Sequence, residues 1–444
     1  MKSDILQRAK GVCDYGPTEK IARDKIIKTM RQVFESFGYN PIETPIIERY
    51  ELFASKFGIG QESDAMRETF KLKDQGDRDL VLRTEFTVPF SRFVGMNPQF
   101  KKPFKRYQMG KVFRDGPIKL GRYREFWQCD VDVVGISDSI IDAELVQLTN
   151  EVFEKIGLEV EFRINNRKIL NGILQNAGVA DKNQETVIIT IDKLDKVGLK
   201  GVKSELQEKG IKPAVISKIL STISIEGDNK ELIRQLKNII GDNEGLKEVE
   251  QTIDYVIDNQ NVIFMPSLAR GLAYYTGNVF EVYLKDRSKV NSSICAGGRF
   301  DSMIGGFLQN GESYPAVGIS FGLETIFDAI KLYSKEKEQN SVIDLYFIPL
   351  SEEYIKPALK YCKKLRKENI KTDIDYTARK LKKNLEYANS YGVPWVVMLG
   401  EDEANKGKLT LRNMNSGEQA LLDYESVLAK LKEELVIEDN KKEI

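Results

Sequence analysis

The chain has 444 residues, with 67 lysines and arginines balanced by 67 aspartates and glutamates, four cysteines and no histidine. At ~150 residues per domain the length predicts two or three domains, and the zero net charge argues against a protein that coats nucleic acid or membranes by bulk electrostatics. The missing histidine excludes Ser-His-Asp and Cys-His hydrolases and His-ligated zinc, so any chemistry must use carboxylates, arginine, lysine, tyrosine, backbone amides or a bound metal.

The sequence carries neither a long apolar run nor a secretory leader. No stretch approaches ~18 consecutive apolar residues, and the start Met1–Asp4 lacks a signal-peptide core. Cys13, Cys129, Cys295 and Cys362 are scattered singly, which indicates neither a disulfide framework nor a CxxC site. We therefore expect a cytoplasmic protein that does not bind membranes.

Helix and strand patterns alternate through the first 165 residues. Apolar residues recur at helical spacing over 18–38, and 39–51 is predicted as one extended strand whose Pro41 and Pro45 suit an edge or an interface. The next predicted elements are a hairpin of Phe70–Lys73 and Leu80–Arg83, a strand pair of Phe104–Phe113 and Glu125–Val134, a helix at Ser139–Ile156 and a strand at Glu159–Asn165.

The pattern changes between about 170 and 255, where lysine- and glutamate-rich helical stretches with glycine stops predict a mainly helical insertion. Strand patterns resume at Val262–Leu284 and Ser293–Phe300, and a small-residue strand from Gly318 leads into a helix. Residues 1–330 are thus expected to form one domain on a mostly antiparallel sheet.

A polar segment at 331–341 is predicted as a linker to a second domain at 342–436, followed by a charged tail at 437–444. The second domain alternates in the order strand Val342–Pro349, helix Tyr354–Glu368, strand Ile370–Asp375, helix Ala378–Ser390 and strand Trp395–Leu399. This order predicts a small α/β domain with a largely parallel sheet. The predicted fold class is therefore α+β, an antiparallel-sheet domain with a helical insertion followed by a small α/β domain.

The segment 105–135 carries the densest set of chemically active side chains. Its two predicted strands flank a polar loop that contains Arg114, Asp115, Lys119, Arg122 and Arg124. Cations at the mouth of a strand pair suit a polyphosphate, because guanidinium groups bind oxyanions bidentately. On the return strand, Gln128, Asp130 and Asp132 share one parity, so regular alternation places them on one face. A solvent-facing strand with charged residues explains this pattern about as well.

Three other segments carry weaker signals. In LARGLAYYTG, Arg270 precedes a glycine and a tyrosine pair, and a surface ion pair of this arginine is the plain alternative. In AGGRFD, Gly297 and Gly298 permit close backbone approach to a ligand, which a simple turn explains as well. GISFGLETI, residues 318–326, is a small-residue strand that runs into a helix and indicates little by itself.

Together these segments resemble the class II aminoacyl-tRNA synthetases. YNPIETPIIE, with Pro45, resembles motif 1 of that class, FRDGPIKLGRYREFWQCDVD resembles motif 2, and GISFGLETI occupies the place of motif 3. RGLAYYTG and AGGRFD, together with the opening AKGVCDYGP, are similar to segments specific to the histidyl-tRNA synthetases. The last 100 residues or so resemble the anticodon-binding domain of several class II synthetases, so the resemblance covers essentially the whole chain.

The resemblance implies a reaction and its site residues. It implies activation of histidine by ATP with Mg²⁺, transfer to tRNA(His), a homodimer joined through motif 1, and no metal ligand among the side chains. The implied histidine-binding residues are Glu85, Phe86, Thr87, Arg114, Gln128, Asp132, Arg270, Tyr274 and Tyr275. The implied ATP-binding residues are Arg114, Arg122, Arg270 and Thr325, of which Arg114 and Arg270 are the catalytic pair.

Within these sets, the segment Glu85–Thr87 is expected to bind the substrate ammonium group, since carboxylates and hydroxyls accept hydrogen bonds. Asp132 is expected to accept the imidazole N–H, and the two arginines to face the ATP α-phosphate. The run Arg379, Lys380, Lys382 and Lys383 is expected to contact tRNA phosphates, although most such runs are solvated helix faces.

The chain departs from the family pattern at three places. Thr325 stands where motif 3 usually ends in arginine, Ala273 where aspartate is usual after RGL, and Phe300 where tyrosine is common. These changes favour an alternative, a catalytically weakened relative that senses histidine or tRNA and regulates another protein. A ligase that adenylates a different amino acid is a third possibility, which the presence of Asp132 and Tyr275 disfavours.

Overall fold

The computed structural model describes residues 4–56, 67–118, 121–271, 274–333, 339–377 and 379–442. Contacts divide the chain into two compact units, one of Met1–Cys13 with Ile26–Ser334 and one of Asp14–Lys25 with Lys335–Ile444. The predicted α+β class is confirmed, with a large antiparallel-rich sheet, a helical region and a C-terminal α/β fold. No helix in the described part of the chain is both long and apolar enough to cross a membrane.

The described helices up to residue 333 include a run of six consecutive helices between Arg167 and Tyr255, in the region where a mainly helical insertion is predicted. In chain order the helices are α1 Pro17–Ser36, α2 Tyr50–Lys56, α3 Thr87–Met96, α4 Ile140–Ile156, α5 Arg167–Ala177, α6 Asp181–Ile191, α7 Leu194–Glu208, α8 Pro213–Ile223, α9 Asn229–Ile240, α10 Glu244–Tyr255, α11 Ser302–Leu308 and α12 Leu323–Tyr333. Helices α5 to α10 pack on one another through apolar faces, as the lysine- and glutamate-rich patterns predict.

The strands of the same part form two sheets. They are β1 Asn40–Pro41, β2 Ile47–Arg49, β3 Lys71–Lys73, β4 Asp79–Leu82, β5 Phe104–Phe113, β6 Glu125–Val134, β7 Val160–Asn166, β8 Val262–Phe264, β9 Asn278–Leu284, β10 Cys295–Arg299 and β11 Ala316–Gly322. Within the described residues, the large sheet has the order β1-β5-β6-β11-β10-β9-β7-β8, antiparallel except for its two edge strands. A smaller antiparallel sheet has the order β2-β4-β3.

Two predicted strands are wrong in extent. The segment 39–51 forms two short strands in different sheets, because β1 pairs with β5 whereas β2 pairs with β4. The segment 262–284 is two strands, and the chain between them turns away from the sheet. Asn165 Nδ2 donates to the carbonyl oxygens of Pro266 and Leu268 at 3.0 and 2.8 Å, which gives those backbone groups a side-chain partner in place of a neighbouring strand.

The second unit contains a five-stranded sheet within the described residues. Its strands are β12 Leu345–Pro349, β13 Thr372–Ile374, β14 Trp395–Leu399, β15 Leu409–Asn413 and β16 Gln419–Leu422, in the order β13-β12-β14-β15-β16. Its helices after residue 339 are α13 Ile355–Lys367, α14 Leu381–Ser390, α15 Glu401–Lys406 and α16 Tyr424–Lys442. The sheet is mixed, not largely parallel, because the unpredicted hairpin β15–β16 adds two antiparallel pairings.

A buried ion pair fixes the strand that carries the AGGRFD segment. Arg299 Nε lies 3.0 and 3.2 Å from the two carboxylate oxygens of Asp142, which is fully buried on α4. The Arg299 guanidinium also donates to the carbonyl oxygens of Ile136 and Asp138. Arg299 therefore holds β10 to α4 and is a structural residue, and the glycines before it remain for the site.

Candidate active site

A cavity of about 400 Å³ in the first unit brings together residues that lie far apart in the chain. It is lined by β6, β10 and β11, the start of α3, the loop after β5 and the stretch before β9. The predicted site residues that line the cavity are Glu85, Thr87, Arg114, Arg122, Gln128, Asp132, Arg270, Tyr274, Tyr275 and Thr325. Of the predicted residues in this unit, only the side chain of Phe86 is absent from the lining, as far as the described residues show.

Strand β6 forms the floor of the cavity with alternate side chains. Gln128, Asp130 and Asp132 all line the cavity, so the predicted shared face is confirmed. The facing strand β11 supplies small residues opposite them, with Gly318 paired to Asp132. A Cβ added to Gly318 would lie 1.9 Å from Asp132 Oδ1, so only glycine leaves room for this carboxylate.

Asp132 forms a buried ion pair with Arg106 of β5. Arg106 Nη2 lies 2.5 Å from Asp132 Oδ2, although the two groups are not aligned for a hydrogen bond. Arg106 is fully buried, and its guanidinium stacks 4.3 Å from the centre of the Phe90 ring. Burial raises the pKa of Asp132 to about 6, and the charge of Arg106 opposes this rise. The arginine thus supports the ionised form of a carboxylate that water barely reaches.

Asp130 continues a hydrogen-bonded chain across the two strands. Ser320 Oγ donates to Asp130 Oδ1 at 2.5 Å, and Gln128 Nε2 donates to Ser320 Oγ at 2.8 Å. Burial and the charge of Asp132 raise the pKa of Asp130 above its usual range. The acidic floor therefore consists of two carboxyl groups, of which Asp132 is ion-paired with Arg106 and Asp130 accepts a hydrogen bond from the Ser320 hydroxyl.

Glu85 acts on the backbone at the start of α3. Its two carboxylate oxygens accept hydrogen bonds from the backbone N–H groups of Thr87 and Val88 at 2.7 and 3.0 Å. This arrangement satisfies donors that the first turn of a helix leaves free, and it fixes the carboxylate at the cavity wall. The Phe86 side chain turns inward instead, fully buried with the Arg83 guanidinium 4.6 Å from its ring centre, so it does not line the cavity and its contact with histidine stays a prediction.

Two arginines from different parts of the chain reach the same cavity. Arg114 Nε donates to the Thr84 carbonyl oxygen at 3.0 Å, and the guanidinium lies 5.0 Å from the centre of the Phe126 ring. Arg270 Nη1 lies 2.5 Å from Glu281 Oε1. Burial disfavours the charge of Arg270, but Tyr275 and Glu281 outweigh it and raise its pKa. Both cations are held in place before any ligand binds.

The two tyrosines of the RGLAYYTG segment pack against each other with tilted rings and line the same cavity. The ring centres of Tyr274 and Tyr275 lie 4.6 Å apart, and burial raises the pKa of Tyr274 well above its usual value. A Cβ on Gly298 would lie 2.8 Å from the Tyr275 ring, so the predicted close approach at this glycine is made by a side chain of the protein itself. Ala273 lies outside the described residues.

The remaining predicted phosphate contacts lie at the outer part of the cavity lining. Arg122 is exposed, and Thr325 lies on the first turn of α12 near Gly121. Lys119 of the same loop lies outside the described residues, and Arg124 is paired with Asp115 at 2.9 Å. The loop thus contributes one described arginine, Arg122, to the cavity in addition to Arg114.

Sequence reasoning assigned no role to several polar lining residues, among them Glu68, Asp130, Ser320 and Glu324. Glu324 Oε2 accepts a hydrogen bond from the backbone N–H of Trp127 at 2.9 Å, which ties α12 to β6. The parity of β6 already placed Asp130 on the correct face. Ser320 and Glu324 lie inside the motif 3-like segment, but only the pairing of β11 with β6 shows what they contact.

The predicted basic run lies in the second unit and is divided by the start of α14. Arg379 and Lys380 precede this helix, so the predicted start at residue 378 is too early. Arg379 Nη2 lies 3.0 Å from the Tyr346 hydroxyl, and its Nε lies 3.3 Å from Asp375 Oδ1. Lys380, Lys382 and Lys383 are exposed. Arg379 therefore stabilises its own turn, and the three lysines form the free part of the run.

Comparison with known proteins agrees with this arrangement. A family model described as histidyl-tRNA synthetase matches residues 11–326, and one described as anticodon binding domain matches residues 344–434. Histidine–tRNA ligase 1 of Bacillus cereus strain ATCC 14579 is 41% identical over 431 residues, covering 95% of this chain and 98% of the relative. Histidine–tRNA ligase 1 of Bacillus anthracis is 42% identical over 432 residues, covering 95% and 99%.

Solved structures show the same relationship. The crystal structure of histidyl-tRNA synthetase from Nostoc sp. PCC 7120 has a TM-score of 0.84 and 30% identity, covering 97% of this chain and 99% of that one. A structure described as an ATP phosphoribosyltransferase regulatory subunit/histidyl-tRNA synthetase, from Bacillus halodurans C, has a TM-score of 0.74, covering 90% and 100%. At 20% identity the latter shows a shared fold alone.

Replacing Arg106 with methionine tests whether this cation keeps Asp132 ionised. The folded-state pKa of Asp132, about 6, lies above the ~3.9 of an unfolded aspartate, so this group's contribution to stability falls as pH rises between those values. Loss of the guanidinium raises the folded-state pKa further. Between acid and alkaline pH, the free energy of unfolding of Arg106→Met should therefore fall by about 1.4 kcal/mol more than that of the parent protein for each unit by which the pKa of Asp132 rises.

Urea unfolding at about pH 5 and about pH 8 measures this difference. Trp127 lies on β6, so a Trp395→Phe background makes fluorescence report on this sheet alone. The double variant Arg106→Met/Asp132→Asn is the control, because it removes the titrating carboxylate and should lose the extra pH dependence. Equal pH dependence in Arg106→Met and the parent protein would contradict the role given to Arg106.

Proposed function

The chain belongs to the histidyl-tRNA synthetase family and is a histidine–tRNA ligase that activates histidine and charges tRNA, and we propose how its cavity divides the substrates. The observation that carries the proposal is the charge layout of the cavity. An acidic floor lies on β6, and Arg114 and Arg270 come to the same cavity from two other segments. An amino acid with a donor side chain suits the floor, and anionic groups suit the arginines.

The imidazole of histidine binds at Asp132 in this proposal. Asp132 is an ion-paired carboxylate with a raised pKa, and it retains lone pairs for an N–H donor. Tyr275 lies beside Gly298 of β10 and adds a polar hydroxyl to an aromatic wall, with the Tyr274 ring tilted against it. Few amino acids offer a side-chain N–H on a flat ring, so an acid in a narrow cavity favours histidine.

The substrate ammonium group binds near Glu85 and Thr87, with Gln128 as a further acceptor. Glu85 accepts two backbone N–H groups, which hold its carboxylate at the cavity wall, and a carboxylate is a suitable acceptor for an ammonium group. The Oε1 atom of Gln128 is buried and has no hydrogen-bond partner among the described residues. An ammonium donor satisfies both groups, which favours a free amino acid over a deaminated analogue.

ATP binds with its α-phosphate between Arg114 and Arg270. A carboxylate oxygen of histidine attacks the α-phosphorus, a new P–O bond forms, and the bond to the β-phosphate oxygen breaks to release pyrophosphate. Charge develops on the phosphate oxygens during this step, and two guanidinium groups that are already oriented stabilise it. Arg122 is placed for the outer phosphates, and Thr325 contacts the nucleotide without supplying charge.

Magnesium enters with ATP as part of the nucleotide substrate. Glu68 and Glu324 line the same cavity, and their carboxylate oxygens are the hard ligands that Mg²⁺ prefers. When bound, the ion neutralises phosphate charge. We assign no protein ligand to it, since Glu324 already accepts a backbone hydrogen bond from Trp127.

Transfer to tRNA needs a positioned hydroxyl more than a strong base. A hydroxyl of the terminal ribose of tRNA(His) attacks the carbonyl carbon of the adenylate, an ester bond forms, and AMP leaves while a proton is released. Lys380, Lys382 and Lys383 are proposed to contact the tRNA phosphates, supported by the match of this part of the chain to an anticodon-binding model.

We also propose that the protein is a homodimer and that its two domains span residues 1–330 and 342–436. The exposed side chains of Ile46 and Ile47, beside Pro45, place apolar surface on the motif 1-like segment. A monomer mass in sedimentation equilibrium would contradict the dimer. A cytoplasmic location follows from a role in protein synthesis.

The regulatory alternative gains no support from the comparisons. The relatives that cover 95% of the chain at 41% and 42% identity are named as ligases, whereas the structure whose description mentions a regulatory subunit shares only the fold. Of the described departures from the family pattern, Phe300 and Thr325 both line the cavity. Thr325 removes a cation from the nucleotide site, which lowers ATP affinity and leaves the chemistry in place.

Histidine-dependent ATP–pyrophosphate exchange by the purified protein tests the proposal. Exchange should occur with histidine and with no other common amino acid. Arg114→Ala and Arg270→Ala should each reduce it about 10- to 100-fold, the scale of a lost charged hydrogen bond. Arg234→Ala removes an exposed arginine of α9 and serves as the control with unchanged exchange.

Absence of exchange from the parent protein, with histidine or tRNA still bound in equilibrium dialysis, would overturn the proposal in favour of a sensor. Exchange with a different amino acid would instead overturn the assignment of Asp132 to the imidazole.

The lysines of α14 are tested by charge reversal. Lys382→Glu/Lys383→Glu should raise the KM for tRNA roughly tenfold or more and flatten its dependence on salt, because phosphate contacts release counterions. Histidine-dependent exchange should not change. Lys363→Glu/Lys367→Glu on α13 makes the same change of charge at exposed positions of the same unit. An equal rise in KM for both double variants would mean that net charge, not this run, controls tRNA binding.

A further inference from the structure

We propose that Ser320 is a positioning residue that fixes the amide orientation of Gln128 and thereby the recognition of the substrate ammonium group. The inference rests on the proposed function, in which Gln128 contacts the amino acid. Ser320 itself is assigned no substrate contact. Its effect passes through Gln128 and is set by which group receives its single hydroxyl proton.

The chain of hydrogen bonds runs across two paired strands. Asp130 and Ser320 are direct partners in the register of β6 with β11, and Gln128 is the next residue on the same face of β6. Gln128 Nε2 lies 2.8 Å from Ser320 Oγ, and Ser320 Oγ lies 2.5 Å from Asp130 Oδ1. Both strands lie in the interior of the large sheet, so their backbones hold these three side chains at fixed spacing.

The single proton of the Ser320 hydroxyl decides which group donates in each of these hydrogen bonds. Ser320 Oγ donates its one proton to Asp130 Oδ1, an oxygen that accepts whether the carboxyl group is ionised or carries its own proton on Oδ2. Ser320 Oγ then has only lone pairs to offer, and Gln128 must approach it with its NH₂ group. The amide oxygen is consequently turned away from Ser320. A bound ammonium group favours the ionised form of Asp130, so the substrate reinforces the same direction.

In this arrangement the amide oxygen of Gln128 lacks a hydrogen-bond partner among the described residues. Gln128 lines the cavity, and its Oε1 atom is shielded from solvent with no hydrogen-bond partner in the described part of the chain. A buried acceptor without a partner is costly, and a donor from the substrate removes that cost. An ammonium group donates only. A Gln128 amide rotated by half a turn would present NH₂ to it and repel it.

Without the hydroxyl, both amide orientations become accessible. Ser320→Ala removes the group that distinguishes the amide nitrogen from the amide oxygen. Asp130→Asn also loses the native orientation, because an asparagine NH₂ donates to Ser320 and the serine proton then turns toward the amide oxygen of Gln128. The two substitutions are therefore expected to act through one mechanism and not to add.

The test is the KM for histidine and for ATP in pyrophosphate exchange by the full-length protein. Ser320→Ala should raise the KM for histidine roughly tenfold, the scale of a misdirected hydrogen bond to a charged group, with the KM for ATP unchanged. Ser320→Thr keeps the hydroxyl on a strand and should restore most of the affinity. Ser91→Ala deletes a fully buried hydroxyl of the same unit and should change neither constant.

Two substrate analogues separate positioning from general damage. Histidinol keeps the ammonium group and lacks the carboxylate, whereas imidazolepropionate keeps the carboxylate and lacks the ammonium. Ser320→Ala should weaken inhibition by histidinol as much as it weakens histidine, and should leave imidazolepropionate unaffected. Equal loss for both analogues would overturn the inference and indicate a purely structural role.

The double variant Ser320→Ala/Asp130→Asn completes the cycle. Its KM for histidine should match the larger of the two single-variant values, since both changes release the same amide. Independent, multiplying effects would overturn the inference. If the parent protein shows no exchange with histidine, the proposed function fails; if it exchanges and Ser320→Ala is indistinguishable from it, only the positioning role fails.

Discussion

The buried ion pair of Arg106 and Asp132 is the constraint around which the cavity is built. A carboxylate in a dry cavity tends to become neutral, and a fully buried arginine behind it offsets that tendency. The ion pair also restricts which residues can pack around it. Gly318 must lack a side chain because the carboxylate occupies that space, and Phe90 covers the guanidinium from the other side. The acid that we propose to bind a substrate N–H is thus held by the core of the sheet.

The two cations that we propose to bind the nucleotide are held differently. Arg114 and Arg270 are anchored by a backbone carbonyl and by a glutamate, so each arrives at the cavity with its orientation set. A chain without histidine has no imidazole for acid–base catalysis. Adenylate formation suits it, because the substrate carboxylate is already a nucleophile and the main requirement is stabilisation of phosphate charge. Carboxylates and arginines therefore suffice for this reaction.

The sequence pattern predicted two features of the site correctly, the limits of its strands and the face of β6 on which its polar side chains lie. The limits of β5 and β6 were predicted to the residue, and the alternation of Gln128, Asp130 and Asp132 placed their shared face correctly. Neighbouring positions in the sequence do not share an orientation at Phe86. Glu85 binds the backbone N–H groups at the start of α3, and the chain turns the Phe86 side chain into the core. Ser320 was invisible as a partner of Asp130, since 190 residues separate them and only strand pairing joins them.

Equilibrium dialysis of Asp132→Asn with histidine and, separately, with ATP tests the central claim most directly. Asparagine keeps the size of the side chain and removes the charge that Arg106 supports. We expect the affinity for histidine to fall at least tenfold, the scale of a lost charged hydrogen bond, while the affinity for ATP stays within about twofold. Unchanged histidine affinity would contradict the account, because the imidazole would then not depend on the Asp132 carboxylate. An equal loss of both affinities would contradict it too, since the acid would then support the whole cavity.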